Sequence, residues 1–179
     1  SGAQAIVSTF QSLFMGDAEF GLAGGAENMS RSPHLMSSGR WGQKMGNAQL
    51  TDMMIGALTC PFGTGHMGVT AENVASEYKI SREEQDQFAL ESQRRAHSAI
   101  ADGRFEDQII PLEVKQKNTS SIFKGDEHPK QTNQKSLSDL PSVFKKGGSV
   151  TAGNSSGIND GAAALVLARS KSVEKNNLN

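Results

Sequence analysis

The sequence has almost no cysteine, no long apolar run and hardly any net charge. Its 179 residues include a single cysteine, Cys60, so an internal disulfide is excluded and the composition suits a reducing compartment. No apolar run reaches the roughly 18 residues of a membrane helix, and no basic segment leads into an apolar core near Ser1, so neither a membrane span nor a signal peptide is expected. With a net charge of -1, there is no electrostatic reason to expect nucleic acid or an anionic membrane as a partner.

Aromatic residues are also sparse, at 6%, whereas the chain has 19 glycines and 7 methionines. This composition is typical of a globular chain with many tight turns and argues against disorder. The length is sufficient for one domain with its own core, or for part of a larger one.

The most informative stretch is residues 147–169. Between Thr151 and Asp160 nearly every side chain is small or is a short amide, hydroxyl or carboxylate, so the backbone can approach a ligand closely. The continuous apolar segment 162–168 follows and predicts a buried strand. A polar loop beside a rigid strand favours a ligand site, although an ordinary connection between two elements explains the residues equally well.

Elsewhere the pattern predicts alternating helices and strands. Apolar residues three and four apart predict a helix over residues 1–15, ended by Gly16, and then a short buried strand at 20–23. Ser81 and Glu84 have the spacing of a capping box, which predicts a second long helix to about Ile100. Residues 109–114 predict a strand. Together these elements indicate α/β organisation.

The predicted helices have apolar faces that we expect to be buried. In the helix near Thr70, this face consists of Ala71, Val74, Ala75 and Tyr78. In the helix after Ser81, it consists of Phe88, Ala89, Ala96 and Ile100. The charged residues of the second helix, Arg82, Glu83, Arg94 and Arg95, are expected on its solvated side.

Three segments resemble the thiolase family, in the same order as in that family. Residues 150–163, VTAGNSSGINDGAA, are similar to the thiolase segment VTAGNASGLNDGAA. Residues 22–30, LAGGAENMS, and residues 66–75, HMGVTAENVA, also agree. With the stretch after Ser81, the likeness covers essentially the whole chain.

The resemblance implies a thiolase-like layered αβα fold, of which this chain forms part of the N-terminal half with an inserted, helix-rich loop domain. Residues 1–30 are expected to supply a core helix and strand. Residues 31–147 are expected to form the loop domain, and residues 148–179 the coenzyme A loop and the last strand of the N-terminal core.

The resemblance also implies an acyltransferase. A thiolase condenses two acetyl-CoA molecules to acetoacetyl-CoA and coenzyme A, or catalyses the reverse thiolysis, through a cysteine thioester. The family pattern places the nucleophilic cysteine two residues before Ser1 and the remaining catalytic residues beyond Asn179. No catalytic residue is therefore expected in this chain, which alone is expected to be inactive. Cys60 lies where the family has no cysteine and is expected to be a small buried hydrophobic residue.

Coenzyme A would be held by several loops. By resemblance, His66 would hold the pantetheine arm and Met67 would line a short acyl pocket. Lys130, in a segment similar to Asp-Glu-x-Pro-Arg, would approach the nucleotide end, although an ordinary exposed lysine is an equal alternative. Phe144 would pack along adenine and pantetheine. For His66, a purely structural hydrogen bond remains an alternative.

The 150–163 segment would supply the remaining contacts. Ser156 would hydrogen-bond a pantetheine amide, and Ala152, Ser155 and Ile158 would add hydroxyl and apolar partners. Supporting roles are expected for Glu27, Asn28 and Asn154. Residues 24–31 can equally be an ordinary turn after a strand.

Other functions remain possible from the sequence. His66, Met67 and Ser156 favour the short-chain acetyl-CoA type over a degradative 3-ketoacyl-CoA thiolase. A non-catalytic coenzyme A-binding protein is the alternative from another class. A nucleotide-phosphate loop at 153–161 is disfavoured, because no Gly-Lys-Ser/Thr follows it.

The resemblance further implies a ligand, an oligomeric state and a cellular location. Acetyl-CoA or acetoacetyl-CoA is the expected partner, without nucleic acid, membrane, metal or any cofactor, since coenzyme A is part of the substrate. A homotetramer is expected through residues 32–61, for which a mobile surface loop is the alternative. The expected location is the cytoplasm.

Overall fold

The computed structural model describes residues 1–116 and 119–178. The helices are α1 (Gly2–Met15), α2 (Met53–Ala57), α3 (Met67–Glu77), α4 (Arg82–Ala101), α5 (Gln134–Ser138) and α6 (Ser170–Lys175). The strands are β1 (Phe20–Asn28), β2 (His34–Leu35), β3 (Thr51–Asp52), β4 (Thr59–Cys60), β5 (Gly65–His66), β6 (Leu112–Gln116), β7 (Thr119–Phe123) and β8 (Asp160–Ala168). Single 3-10 turns span Met29–Arg31 and Gly39–Trp41.

The chain divides into two compact units. The first consists of Ser1–His34 and Ile158–Asn179, and the second of Leu35–Gly157. Residues 148–157 thus belong to the second unit. The ranges predicted for the loop domain and for the last core segment include residues 117, 118 and 179, which lie outside the described residues.

In the first unit, α1 confirms the helix predicted at the start of the chain. Gly16 terminates it in a left-handed conformation, with a φ of 89°. The N–H groups of Gly16 and Asp17 then donate to the carbonyls of Leu13 and Ser12. Leu13 is buried, whereas Phe10 and Phe14 are exposed and stack on each other with ring centroids 6.0 Å apart. The predicted apolar face is therefore covered only near Leu13.

The strands β1 and β8 pair antiparallel, from Phe20 opposite Ala168 to Asn28 opposite Asp160. Both strands were predicted, but the expectation that they are buried is wrong. Only Ala23 is buried, while Leu22 is 72% and Val166 76% exposed. The reason is that, within the described part of the chain, this sheet has two strands and no third strand beside them.

In the second unit, α4 confirms the predicted capping box. The Ser81 N–H donates to Glu84 Oε2 at 2.7 Å, and the Glu84 N–H donates to Ser81 Oγ at 3.2 Å. The helix ends at Ala101, one residue beyond the predicted end at about Ile100. The predicted strand at 109–114 is shifted, because β6 begins at Leu112 and forms a hairpin with β7.

The buried faces predicted for α3 and α4 are only partly confirmed. Ala75 is buried as predicted, but α3 also buries Gly68 and Glu72, and Tyr78, which follows α3, is 70% exposed. Helix α4 buries Asp86 and leaves Phe88 80% exposed. Arg82, predicted on the solvated side, is partly buried and forms an ion pair with Asp86. These helices bury carboxylates because both carboxylates find hydrogen-bond donors in the second unit.

Cys60 is half-buried, so the expectation of a fully buried thiol is wrong. Among the helices of the described residues, none has the length and apolar character needed to cross a membrane.

Candidate functional site

The β4–β5 hairpin ends at His66, which caps the N-terminus of α3. His66 Nδ1 accepts a hydrogen bond from the Gly68 N–H at 3.0 Å. A neutral imidazole that accepts at Nδ1 carries its proton on Nε2. His66 therefore has a structural hydrogen bond at one ring nitrogen and keeps an N–H donor at the other.

Phe144 stacks on His66. The ring centroids are 4.9 Å apart and the planes differ by 17°. Phe144 also covers Gly68, since a Cβ built at Gly68 would lie 2.2 Å from Phe144 Cγ. The structure thus brings together two predicted site residues that are far apart in the sequence, and only a glycine at position 68 permits the arrangement. Met67 begins α3 beside them and is 43% exposed.

The segment before Phe144 pairs with the start of the predicted coenzyme A loop. The Val143 N–H donates to the Val150 carbonyl at 3.1 Å, and Ser142 forms an antiparallel bridge with Thr151. We call residues 149–156 the anchored loop, since its first residues are held from several directions.

Glu72, on α3, holds the beginning of the anchored loop. Its carboxylate accepts from the Val150 N–H at 2.8 Å, from the Ser149 N–H at 2.9 Å and from the Ser149 hydroxyl at 3.1 Å. Burial alone would raise the pKa of Glu72. The hydrogen bonds from Val150 and Ser149, together with the positive charge of Lys145, outweigh this effect and lower the pKa. The side chain is 4% exposed and is held as a carboxylate.

Asn154 and Thr151 hold the middle of the anchored loop. The Thr151 N–H donates to Asn154 Oδ1 at 2.7 Å, and Thr151 Oγ1 accepts from the N–H groups of Gly153 and Asn154 at 3.1 and 3.3 Å. Thr151 is completely buried. The Ser155 hydroxyl donates to the Thr151 carbonyl. The backbone polar groups of this turn are thus satisfied mostly by its own short side chains.

Asp86, on α4, connects Asn154 to the helices. Asp86 Oδ1 accepts from Asn154 Nδ2 at 3.0 Å, and Asp86 Oδ2 accepts from Arg82 Nε at 2.8 Å. The Arg82 guanidinium also donates to the carbonyls of Leu137 and Leu140, at 2.6 and 3.0 Å. The buried Asp86 carboxylate is thereby paired with Arg82, and Asn154 connects it to the anchored loop.

The remaining predicted residues of this loop differ in what they offer a ligand. Ala152 and Ser156 are exposed, and Ser156 makes no side-chain hydrogen bond among the residues that the structure describes. Its hydroxyl can therefore donate or accept. Ser155 already donates to Thr151, so it can only accept. Ile158 belongs to the first unit and is 60% exposed.

Lys130 is placed differently. Its backbone N–H donates to Gln93 Oε1, on α4, at 2.9 Å, and its side chain is exposed. Within the described ranges, no hydrogen bond or ion pair links Lys130 to the anchored loop or to His66.

Glu27 and Asn28 lie in the first unit, where β1 ends. The Asn28 N–H donates to Glu27 Oε1 at 3.1 Å, and the Ser30 hydroxyl oxygen lies 3.2 Å from Asn28 Oδ1. Asp160, opposite Asn28 in the sheet, accepts from the Ser30 N–H at 2.9 Å and from the Ser30 hydroxyl. The Ser30 hydroxyl, followed by the N–H groups of Ser30 and Met29, lowers the pKa of Asp160. This cluster orders the turn after β1.

The sequence reasoning missed Glu72, Asp86 and Arg82. Charged residues on a helix are usually solvated, and the partners of Glu72 lie 77 and 78 positions away. The available signal was indirect: a loop made of short side chains has many backbone N–H groups that need acceptors. Among the residues that the structure describes, no group of three His, Cys, Asp or Glu side chains is arranged to hold a metal ion.

Comparison with known proteins gives consistent matches over the whole chain. The family model "Thiolase, N-terminal domain" matches residues 1–171. The chain is 50% identical to the beta-ketothiolase BktB of Cupriavidus necator over 182 aligned residues, which cover 99% of this chain and 46% of that protein. It is 46% identical to an acetyl-CoA acetyltransferase of Syntrophomonas wolfei, over 93% of this chain and 43% of that protein.

Solved structures agree with these matches. The crystal structure of the Bacillus anthracis acetyl-CoA acetyltransferase has a TM-score of 0.93 at 41% identity, and the match covers all of this chain and 46% of that one. The human mitochondrial 3-ketoacyl-CoA thiolase in complex with CoA has a TM-score of 0.90 at 42% identity. The predicted thiolase-like α/β fold is confirmed. The chain spans about half the length of the curated relatives it matches.

Proposed function

Because the chain belongs to the thiolase family, we propose that it supplies the coenzyme A-holding part of an acyltransferase that condenses two acetyl-CoA molecules or cleaves acetoacetyl-CoA. The observation that carries this proposal is the stack of His66 on Phe144 beside the anchored loop. Helix α3 links the two features, since His66 caps it and Glu72, farther along it, binds Ser149 and Val150.

The chemistry of the site suits pantetheine. This arm is a flexible chain with two amides, so it needs a few hydrogen-bond partners and an apolar wall. His66 Nε2 and the Ser156 hydroxyl are the donors, and the exposed edges of Phe144, Met67 and Ala152 form the wall. Lys130 serves the nucleotide end as a point charge. The site needs no cofactor, since coenzyme A is part of the substrate.

The reacting groups come from elsewhere in the complete protein. Thiolase chemistry uses one cysteine as nucleophile and a second as base, and this sequence contains only Cys60. The Thr64 hydroxyl, with backbone groups of Phe62, Thr64 and Gly63, lowers the pKa of Cys60. Its cross-strand neighbour is Gly65, and His66 Nδ1 is already bonded to Gly68, so His66 does not serve Cys60 as a base.

The short-chain reaction is the principal proposal, because Met67, which begins α3 next to His66, would line a short acyl pocket. The degradative 3-ketoacyl-CoA reaction is the second candidate, since relatives of both names match this chain. We place the protein in the cytoplasm and in fatty acid metabolism, in keeping with its single cysteine and with the bacterial relatives.

A homotetramer formed through residues 32–61 is part of the same proposal. This region exposes several large apolar side chains, among them Trp41 at 86% and Met45 at 92%, and such patches favour protein contacts. Light scattering of the natural gene product should give the mass of four copies. Replacing Trp41 and Met45 by glutamate should reduce that mass, and an unchanged tetramer would place the interface elsewhere.

The function is tested by steady-state thiolysis with the natural gene product that contains this chain. Acetoacetyl-CoA and a long-chain 3-ketoacyl-CoA are compared as substrates, and coenzyme A binding is measured by calorimetry. We expect turnover with a clear preference for acetoacetyl-CoA. A preference for the long-chain substrate would favour the degradative reaction, and binding without turnover would favour a non-catalytic protein. Absence of coenzyme A binding would overturn the proposal.

A further inference from the structure

Two buried carboxylates on successive helices hold the anchored loop at different points. Glu72 of α3 binds Ser149 and Val150 directly. Asp86 of α4, which is 1% exposed, binds Asn154 and is itself paired with Arg82. A loop tied to two helices at its start and middle has little freedom left in its last residues.

Gly148 packs directly against the Glu72 carboxylate. A Cβ built at Gly148 would lie 2.2 Å from Glu72 Oε1. The Ser149 hydroxyl also accepts from Gln85 Nε2 at 2.9 Å, which connects the same point to α4. Since each oxygen of Glu72 faces an N–H donor, an amide in its place would set its NH₂ against another donor.

We infer that Glu72 is a positioning residue for coenzyme A, acting through the anchored loop to place the hydroxyl of Ser156. This inference rests on the proposed function. Ser156 is exposed and free of side-chain bonds within the described residues, so its direction is set by the backbone that precedes it. A hydrogen bond to a ligand requires the hydroxyl to be positioned to within a few tenths of an ångström. A loop that has lost one of its anchors no longer holds the hydroxyl in that position.

The test compares Glu72→Gln with the natural gene product in the thiolysis assay. Glu91→Gln is the matched control, because it removes the same charge from an exposed carboxylate whose side-chain partners are Arg94 and Arg95. We expect Glu72→Gln to raise the KM for coenzyme A and its calorimetric Kd about fivefold, the size of one lost hydrogen bond. A smaller change is expected in kcat, and Glu91→Gln should leave all three values unchanged.

A purely structural role would give another result. Glu72→Gln would then lower the unfolding midpoint, and the molecules that stay folded would bind coenzyme A as before. Kinetics are therefore measured below the midpoint, with the folded fraction followed by circular dichroism. A KM and Kd within twofold of the unchanged protein would overturn the inference.

Gly148→Ala decides the question if Glu72→Gln fails to fold. The added methyl group displaces the Glu72 carboxylate without removing it, so the same rise in KM is expected. Normal coenzyme A binding by this variant would overturn the inference.

The proposed function and the role of Glu72 would be refuted by different results. If the natural gene product itself binds no coenzyme A, the proposed function is wrong, whereas normal binding by both variants refutes only the role of Glu72.

Discussion

Phe144 stacks on His66 at 4.9 Å between ring centroids, 78 positions along the chain from it. The contact is possible because Gly68, in the first turn of α3, leaves room for the phenyl ring. The imidazole is thereby held from two sides, by the ring of Phe144 and by the Gly68 N–H. An imidazole held in this way presents Nε2 in a fixed direction, which is what a ligand-binding donor requires.

Gly68→Ala should disturb this arrangement. The new Cβ would lie 2.2 Å from Phe144 Cγ, so the ring must move, and we expect a loss of about 1–3 kcal/mol in the free energy of unfolding. The KM for acetyl-CoA should rise as well. Chemical denaturation and steady-state kinetics measure the two effects. Gly56→Ala is the matched control, since its Cβ would meet no atom closer than 3.8 Å.

His66→Ala should raise the KM for acetyl-CoA more than it lowers kcat, if His66 serves binding. The variant also loses the cap of α3, at a cost of about 1 kcal/mol in stability. His66→Asn separates the two effects, because asparagine is a good capping residue without an imidazole Nε2. We expect it to keep most of the stability and to show the higher KM. A fall in kcat with unchanged KM would assign His66 to the chemistry instead.

Ser156→Ala should weaken coenzyme A binding by about 1 kcal/mol, or roughly fivefold in Kd. Calorimetry with the natural gene product measures the change. Ser155→Ala is the contrasting variant, because the Ser155 hydroxyl already donates to the Thr151 carbonyl. That variant should mainly lower stability. Equal affinity of Ser156→Ala and the unchanged protein would count against the contact with pantetheine.

Asp160 should make stability depend on pH in the acid range. Its pKa is lowered in the folded state by the Ser30 hydroxyl and N–H groups, so its stabilising effect is complete above the ordinary value of 3.8 and is lost as the pH falls through the lower folded value. The free energy of unfolding is measured against pH for the unchanged protein and for Asp160→Asn. The difference between them should be constant at neutral pH and shrink below pH 3.8. A difference that does not change with pH would show that the carboxylate charge is unimportant there.

Several elements could be predicted because their causes are local. The end of α1 follows from Gly16, and the start of α4 follows from Ser81 and Glu84, which meet within one turn of helix. The polar composition of 151–160 indicated a tight loop, and the resemblance indicated the family. All of these signals come from neighbouring residues or from one continuous motif.

The burial of individual residues could not be predicted in the same way. Glu72 and Asp86 look like ordinary surface charges of α3 and α4, and their burial is explained only by donors 68 to 78 positions away. Leu22 and Val166 look like core residues, yet they are exposed because no third strand lies beside β1 and β8 in the described residues.

The sequence by itself therefore determined the helices α1 and α4, the strands β1 and β8, the short polar side chains of the loop and the family to which the chain belongs. Only the tertiary structure decided which charges are buried, which tautomer of His66 is held, and how the anchored loop is fixed. The physical reason is that capping and periodicity act over a few neighbouring residues. The desolvation of a carboxylate is compensated only when the fold brings distant donors to it.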